Sequence, residues 1–245
     1  MPQRFFVSPG SIQNGVVQFT TAQAHQVRDV LRMRVGQEIV VLDNAGNEYR
    51  VVLQHVTRDD ARGEIVEQRA ATGEPRAQII LYQALLKADK FEWVLQKGTE
   101  VGIAAFAPIV STRSVQEVGK QKFARWAQII TEAAEQSGRG KIPPLYGHQL
   151  LSHALRVAPQ YGGLVLIAWE QETNFNLQTA LATSTADTIH LFIGPEGGFT
   201  QDEIADARKK HAQPITLGSR ILRAETAGLV AASAIFFARG DLSRA

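Results

Sequence analysis

From Gln78 onward, short apolar runs alternate with segments of helical period, a pattern that restricts this part of the chain to a mainly parallel sheet with crossover helices. Strand-like runs cover Gln78–Leu86, Ala105–Val110, Leu164–Trp169, Thr188–Ile193 and Pro214–Leu217. Helical patterns cover Lys90–Val101, Lys122–Ser137, Leu177–Ala182, Thr200–Lys210 and Glu225–Arg239. The alternation predicts α/β architecture. Ahead of Ala70–Arg76, which holds Gly73 and Pro75, short β-like runs dominate: Arg4–Val7, Val16–Thr20, Glu38–Leu42, Tyr49–Thr57 and Gly63–Gln68. A turn, Asp43-Asn44-Ala45-Gly46-Asn47, joins two of them as a hairpin, and one helix, about Thr21–Leu31, interrupts the series. Close-spaced strands of this kind predict a small β-barrel. The chain is thus expected to hold two domains, residues 1–72 and 73–245.

An apolar content of 44% over 245 residues is that of a globular protein with one or two cores. No apolar run approaches the ~20 residues that cross a bilayer, and the opening MPQRFFVSPG lacks the apolar stretch of a secretory signal. A soluble, cytoplasmic protein is expected. There is no Cys, which excludes disulfides, Cys-ligated zinc, iron–sulfur clusters and a Cys nucleophile. His25, His55, His148, His153, His190 and His211 are scattered without a metal-binding spacing, so no metal is expected. Net charge is only +2, but basic residues concentrate in the first 145 residues. Arg4, Arg28, Arg32 and Arg34 face only Asp29 in the first 37 residues. That distribution fits solvated surface charge or contacts to phosphates, which Arg matches well.

Three segments could carry chemistry. Ile193-Gly194-Pro195-Glu196-Gly197-Gly198-Phe199 follows an apolar strand and precedes a capping box, Thr200-Gln201-Asp202-Glu203. Ligands of open α/β sheets bind beyond the carboxyl ends of strands, and glycines there admit close approach. The segment matches neither a P-loop nor GxGxxG, and a tight turn is the plainer alternative. The second, Leu217 to Ala227, opens at the same sheet edge and places Arg223 and Glu225 at the mouth of the last helix. That helix is apolar all round, as a buried helix is; a helix start with a surface ion pair is the alternative. The third is the helix Phe123–Ser137, with a packing face of Phe123, Trp126, Ala127, Ile130, Ala133 and Ala134. Its other side carries Arg125, Gln128, Glu132, Glu135 and Gln136, followed by Arg139. Carboxylates near a helix C-terminus oppose the dipole, so some of these groups are expected to have partners.

Taken in order, five groups of residues resemble the bacterial 16S ribosomal RNA (uracil-N3)-methyltransferases. They are Arg4-Phe5-Phe6, Lys97-Gly98-Thr99-Glu100-Val101-Gly102, Arg125-Trp126 with Glu132 to Ser137, Gly194 to Phe199, and Leu217-Gly218 with Ile221 to Ala227. The resemblance spans residue 4 to the last helix. It implies a PUA-like β-barrel followed by a SPOUT methyltransferase domain with a C-terminal trefoil knot, a rare exception to unknotted chains. It also implies a homodimer, the cofactor S-adenosylmethionine, and a decoding-region uridine of 16S rRNA, free or in the assembled small ribosomal subunit. By motif, Gly194, Glu196, Gly197 and Gly198 would form one wall of the cofactor pocket, and Leu217, Gly218, Ile221, Leu222 and Arg223 the other. Ala168, Trp169 and Glu170 would add a third, weaker contribution. Arg4, Arg28, Arg32, Arg34, Arg125 and Arg139 are the candidate RNA contacts.

Uridine N3 carries a proton that must leave before attack. Arg223 is the candidate for stabilising charge on the uracil oxygens, and Glu225 for orienting Arg223 or relaying the proton. Methylation at pyrimidine C5 usually runs through a Cys adduct, which this chain cannot form. Two rivals stand beside this reading: a ribose 2′-O-methyltransferase of the same superfamily, and a non-catalytic RNA-binding assembly factor.

Overall fold

The computed structural model describes residues 3–87, 89–115 and 119–243, in two compact units. One unit comprises the chain up to Glu74 together with Ala134–Ile142, and the other comprises Pro75–Ala133 and the chain from Pro143 onward. The sequence pattern did not anticipate the return of residues 134–142 to the first unit.

The first unit contains β1 (Arg4–Phe6), β2 (Ile12–Gln13), β3 (Val16–Gln18), α1 (Thr21–His25), β4 (Glu38–Leu42), β5 (Asn47–Val56) and β6 (Ala61–Ala70). They form one sheet in the order β1-β4-β5-β6-β3-β2, antiparallel except for the β1–β4 pair. Laid flat, β1 and β3 would stand four strand spacings apart, about 19 Å. Yet the rings of Phe5, in β1, and Phe19, just past β3, meet edge-on at 6.2 Å. The sheet therefore curls around a shared core of Phe5, Val17, Ile39, Val41, Val51 and Leu53. Among the described residues no pairing joins β1 to β2, so the curl is not a closed hydrogen-bonded barrel. The expected helix to Leu31 is shorter: α1, opened by a Thr20–Gln23 capping box, passes into one wider π turn over Gln26–Val30.

The second unit contains β7 (Gln78–Ala84), α2 (Lys90–Val101), β8 (Ala105–Val110), α3 (Lys120–Ser137), β9 (Gln149–Leu150), α4 (Leu151–Val157), β10 (Leu164–Ala168), α5 (Leu177–Ala182), β11 (Thr188–Ile193), α6 (Gln201–Lys209), β12 (Gln213–Ile215) and α7 (Ala224–Arg239). All its strand pairs are parallel, in the order β12-β10-β11-β7-β8-β9. As an all-parallel sheet must, it buries nearly every residue of its central strands. α2 ends at Gly102 in the left-handed conformation (φ 115°). Trp126 of α3 packs on Phe91 of α2 with ring centroids 4.4 Å apart. Ala127, expected on the packing face of α3, is exposed.

The last residues of α3 and the loop after them complete the first unit. Ala134 joins Phe6 and Leu42 in a small cluster, and the Glu135 carboxylate accepts from the backbone N–H of Phe6 at 2.9 Å. Arg139 is only 3% exposed and pairs bidentately with Glu74 at 2.5 and 3.2 Å. The Ile142 N–H donates to Asn44 Oδ1 at 2.7 Å. The partners expected for the carboxylates at this helix end thus include a backbone donor of β1.

His190 sits in the middle of β11, 2% exposed, with Tyr82 Oη 3.2 Å from Nδ1 and Gly162 O 3.0 Å from Nε2. A neutral ring satisfies both contacts, Nε2–H donating to the carbonyl and Nδ1 accepting from the phenol. Burial holds the His190 pKa below its usual 6.5, against the smaller opposing pull of the Gly162 carbonyl. Burial, with the charges of Tyr146 and Tyr161 behind it, pushes the Tyr82 pKa up to about 12. Because the folded pKa of His190 lies below the unfolded one, its contribution to stability is complete above pH 6.5 and is lost as pH falls toward the folded value. The melting temperature is therefore expected to drop by several degrees between pH 7 and pH 5, before most carboxylates titrate. A flat profile from calorimetry over that window would contradict this assignment, since the other five His are exposed.

Candidate active site

Three loops leave the carboxyl ends of adjacent strands β11, β10 and β12, and they converge. The loop after β11 turns at Pro195–Gly198, where the Gly198 N–H donates to Pro195 O at 2.9 Å and Gly198 takes φ 67°. Thr200 and Glu203 then open α6 with the capping box expected from sequence. The loop after β12 turns at Gly218, φ 105°, whose N–H reaches Thr216 Oγ1 at 3.2 Å. It exposes 88% of Ile221 before Arg223 starts α7 as its N-cap. After β10, the Trp169 N–H donates to Ile215 O at 3.0 Å, tying this loop to β12.

Together they enclose a cavity of about 590 Å3, within the usual range for a small-molecule site. Gly194, Glu196, Gly197 and Gly198 line one side. Leu217, Gly218, Ile221, Leu222, Arg223 and Glu225 line another, and Ala168, Trp169 and Glu170 a third. The structure thus gathers at one place all the residues that the motifs single out for a cofactor. Trp169 Nε1 and Glu225 Oε2 are buried there without a hydrogen-bond partner. Each is a polar atom that costs free energy unless something in the cavity meets it.

Two residues of the site carry no motif signal. Lys90, the first residue of α2, lines the same cavity, with Nζ 3.3 Å from Glu196 Oε1 and 3.6 Å from Glu225 Oε2. Burial raises the Glu196 carboxyl. Hydrogen bonds from its own backbone, from Lys90 and from the Lys87 backbone, with the Lys90 charge, outweigh burial and hold it below the usual Glu range. Arg113, just past β8, donates to the Gly197 carbonyl at 2.6 Å, and its neighbour Thr112 donates to Glu203 at 2.8 and 3.0 Å. The loop after β8 therefore straps the glycine turn from outside. Sequence pattern shows neither residue, because a single cation beside a helix or strand end reads as surface charge.

The expected Arg223–Glu225 contact is not among the ion pairs of the described residues; Glu225 faces Lys90, and the Arg223 guanidinium stays exposed. The candidate RNA contacts divide in two. Arg28, Arg32 and Arg34 lie exposed on and after the π turn, Arg28 beside Asp29 at 3.3 Å and Arg32 in a left-handed conformation. Arg4 is committed to Glu48 at 2.5 Å, which also holds Arg69, and Arg125 pairs with Glu92 at 2.8 Å. Arg139, buried on Glu74, has no guanidinium face left for an RNA phosphate. Among the described residues no group of three or more His, Asp or Glu could hold a metal ion, and no helix is long and apolar enough to cross a membrane.

Comparison with known proteins finds two family models along the chain. Residues 73–236 match the model of an RNA methyltransferase domain, and residues 19–66 that of an RNA methyltransferase PUA domain. The ribosomal RNA small subunit methyltransferase E of Synechocystis is 34% identical, over 96% of this chain and 77% of that protein. Its Bacillus subtilis counterpart is 33% identical, over 91% of both. A crystal structure of the Neisseria gonorrhoeae protein of that name, bound to S-adenosylmethionine, superposes with a TM-score of 0.88 at 30% identity, over 97% of this chain and 98% of that one.

Proposed function

Because the chain belongs to the RNA methyltransferase family, we propose that it methylates N3 of a decoding-region uridine in 16S rRNA, with S-adenosylmethionine as methyl donor. The observation that carries this reading is the single cavity built by the loops after β10, β11 and β12. Its glycines present bare backbone, and two of them hold positive φ that other residues rarely adopt. The orphaned Trp169 Nε1 and Glu225 Oε2 offer a donor and an acceptor inside it. These features fit an adenosine nucleoside with a charged tail. Gly194, Glu196, Gly197, Gly198, Leu217, Gly218, Ile221 and Leu222 would hold the cofactor, with Ala168, Trp169 and Glu170 beside them.

When bound, S-adenosylmethionine supplies an electrophilic methyl on a sulfonium; the chain must bind and orient both partners and manage the uridine proton. Glu225 presents a buried carboxylate oxygen with free acceptor capacity, suited to receive the N3 proton. The exposed guanidinium of Arg223, on the cavity wall, is placed to stabilise charge on a uracil oxygen. Arg28, Arg32 and Arg34 are the arginines free to meet phosphates. We propose too that the C-terminal segment is knotted, as the family resemblance implies; α7, with Gly228 close against Leu81 and Ile193, packs on the sheet at its end. An apolar face with Val230 and Phe237 exposed on α7 supports a homodimer. The substrate is taken to be the small ribosomal subunit in the cytoplasm.

Nucleoside mass spectrometry tests the reading, after the purified protein is incubated with S-adenosylmethionine and small subunits lacking the modification. The expected product is 3-methyluridine. A 2′-O-methylated nucleoside would keep the cofactor and overturn the target atom, and no product with no cofactor binding would leave an RNA-binding assembly factor.

A further inference from the structure

We infer that Lys90 is a second cation, besides Arg223, that stabilises the target uracil as its N3 anion, acting beside Glu225 as the acceptor of the N3 proton. The inference rests on the N3 reading above and adds a residue that no motif names. Lys90 stands at the first position of a twelve-residue helix, where the helix dipole disfavours a cation. It is held there by two carboxylates, Glu196 from the glycine turn and Glu225 from the first turn of α7. An ammonium has three N–H donors. Glu196 takes one at 3.3 Å, while Glu225 at 3.6 Å is too distant for a hydrogen bond. The side chain keeps 40% of its surface open. Two donors and one buried carboxylate oxygen without a hydrogen-bond partner thus lie together on the cavity wall.

A uracil imide makes complementary demands. Breaking N3–H sends the proton to Glu225 Oε2, and its electron pair stays on nitrogen and spreads to O2 and O4. Total charge is conserved: the carboxylate becomes neutral as the base becomes an anion. The ammonium would then donate to the carbonyl oxygen that gains charge, as oxyanion donors do in acyl transfer. Glu196, which also accepts from the Lys87 backbone, holds the Lys90 ammonium at the cavity wall. Other charged groups that bear on Lys90 are Asp89 next to it in sequence, and Arg223 and Glu170 on the walls of the same cavity.

The test uses the full-length protein with Lys90→Gln and Lys90→Arg. Calorimetry measures S-adenosylmethionine affinity without turnover, and rapid-quench single-turnover assays on unmodified small subunits measure methyl transfer from pH 6 to 10. For K90Q, cofactor affinity should stay within about twofold. Methyl transfer should fall about 100-fold, with the rise in rate displaced to higher pH, and K90R should recover most of the loss. A K90Q rate equal to wild type at every pH would overturn the inference. So would a loss that parallels cofactor affinity, or one that leaves the pH profile unmoved and is not restored by arginine. If K90Q fails to fold, Lys90→Met is put through the same two assays and judged by the same outcomes. Failure of the N3 reading itself shows separately, as a wild-type product other than 3-methyluridine.

Discussion

Gly198→Val is expected to weaken S-adenosylmethionine binding by about 30- to 100-fold and to suppress methyl transfer at ordinary cofactor concentrations. Gly198 holds φ 67° at the tip of the glycine turn, a conformation that a β-branched residue adopts only under strain of about 2–3 kcal/mol. A Cβ there would also lie 2.5 Å from Glu170 Oε1, so that carboxylate must swing aside on the cavity wall. The turn relieves its backbone strain by giving up the Gly198 N–H to Pro195 O bond that sets its shape. Since 1.4 kcal/mol is tenfold in affinity, strain of that size gives the stated loss. Calorimetric titration with the cofactor checks it, with Gly147→Ala as control, because Gly147 has φ in the ordinary range and open space where a Cβ would stand. Wild-type affinity in Gly198→Val would remove the glycine turn from the binding site.

Glu74→Ala should be the most destabilising of the exchanges considered, by about 3 kcal/mol, since it removes the carboxylate from a pair whose guanidinium is buried. The Glu74 carboxylate accepts from Arg139 Nε and Nη2 and from the backbone N–H groups of Gly140 and Lys141, at 3.1 Å each. The Arg139 side chain is almost fully enclosed, so water cannot replace the lost carboxylate without opening the packing around it. For a chain of this length the loss corresponds to roughly 6–12 °C in Tm. Glu74→Gln should recover part of it by keeping one acceptor oxygen. Differential scanning calorimetry decides; a shift under 1 °C for Glu74→Ala would mean that the pair contributes little.

The fold of the second unit was legible because buried parallel strands read as uninterrupted apolar runs, and the helices between them show their period, six-residue α5 included. Residues 146–163 were not: β9 has two residues, α4 has seven, and Pro143, Pro144, Gly147, Gly162 and Gly163 break any pattern around them. The cavity walls were legible through their glycines, which have a physical reason to sit at strand ends. Lys90 and Arg113 were not, because their significance lies in what stands across from them. The same holds for Arg139. One residue past Gly138 at a helix end, it reads as a surface cation, and only its carboxylate partner 65 residues earlier shows it to be interior.

That separation has a consequence during synthesis. At about 5–20 residues per second, the ribosome needs roughly 3–13 s after adding Glu74 to reach Arg139. Throughout that interval the nascent curled sheet lacks Ala134 over Phe6 and Leu42, the Glu135 acceptor for β1, and the guanidinium that Glu74 awaits. The amino-terminal unit is first to leave the tunnel, yet it cannot be finished until more than half of the chain has been made.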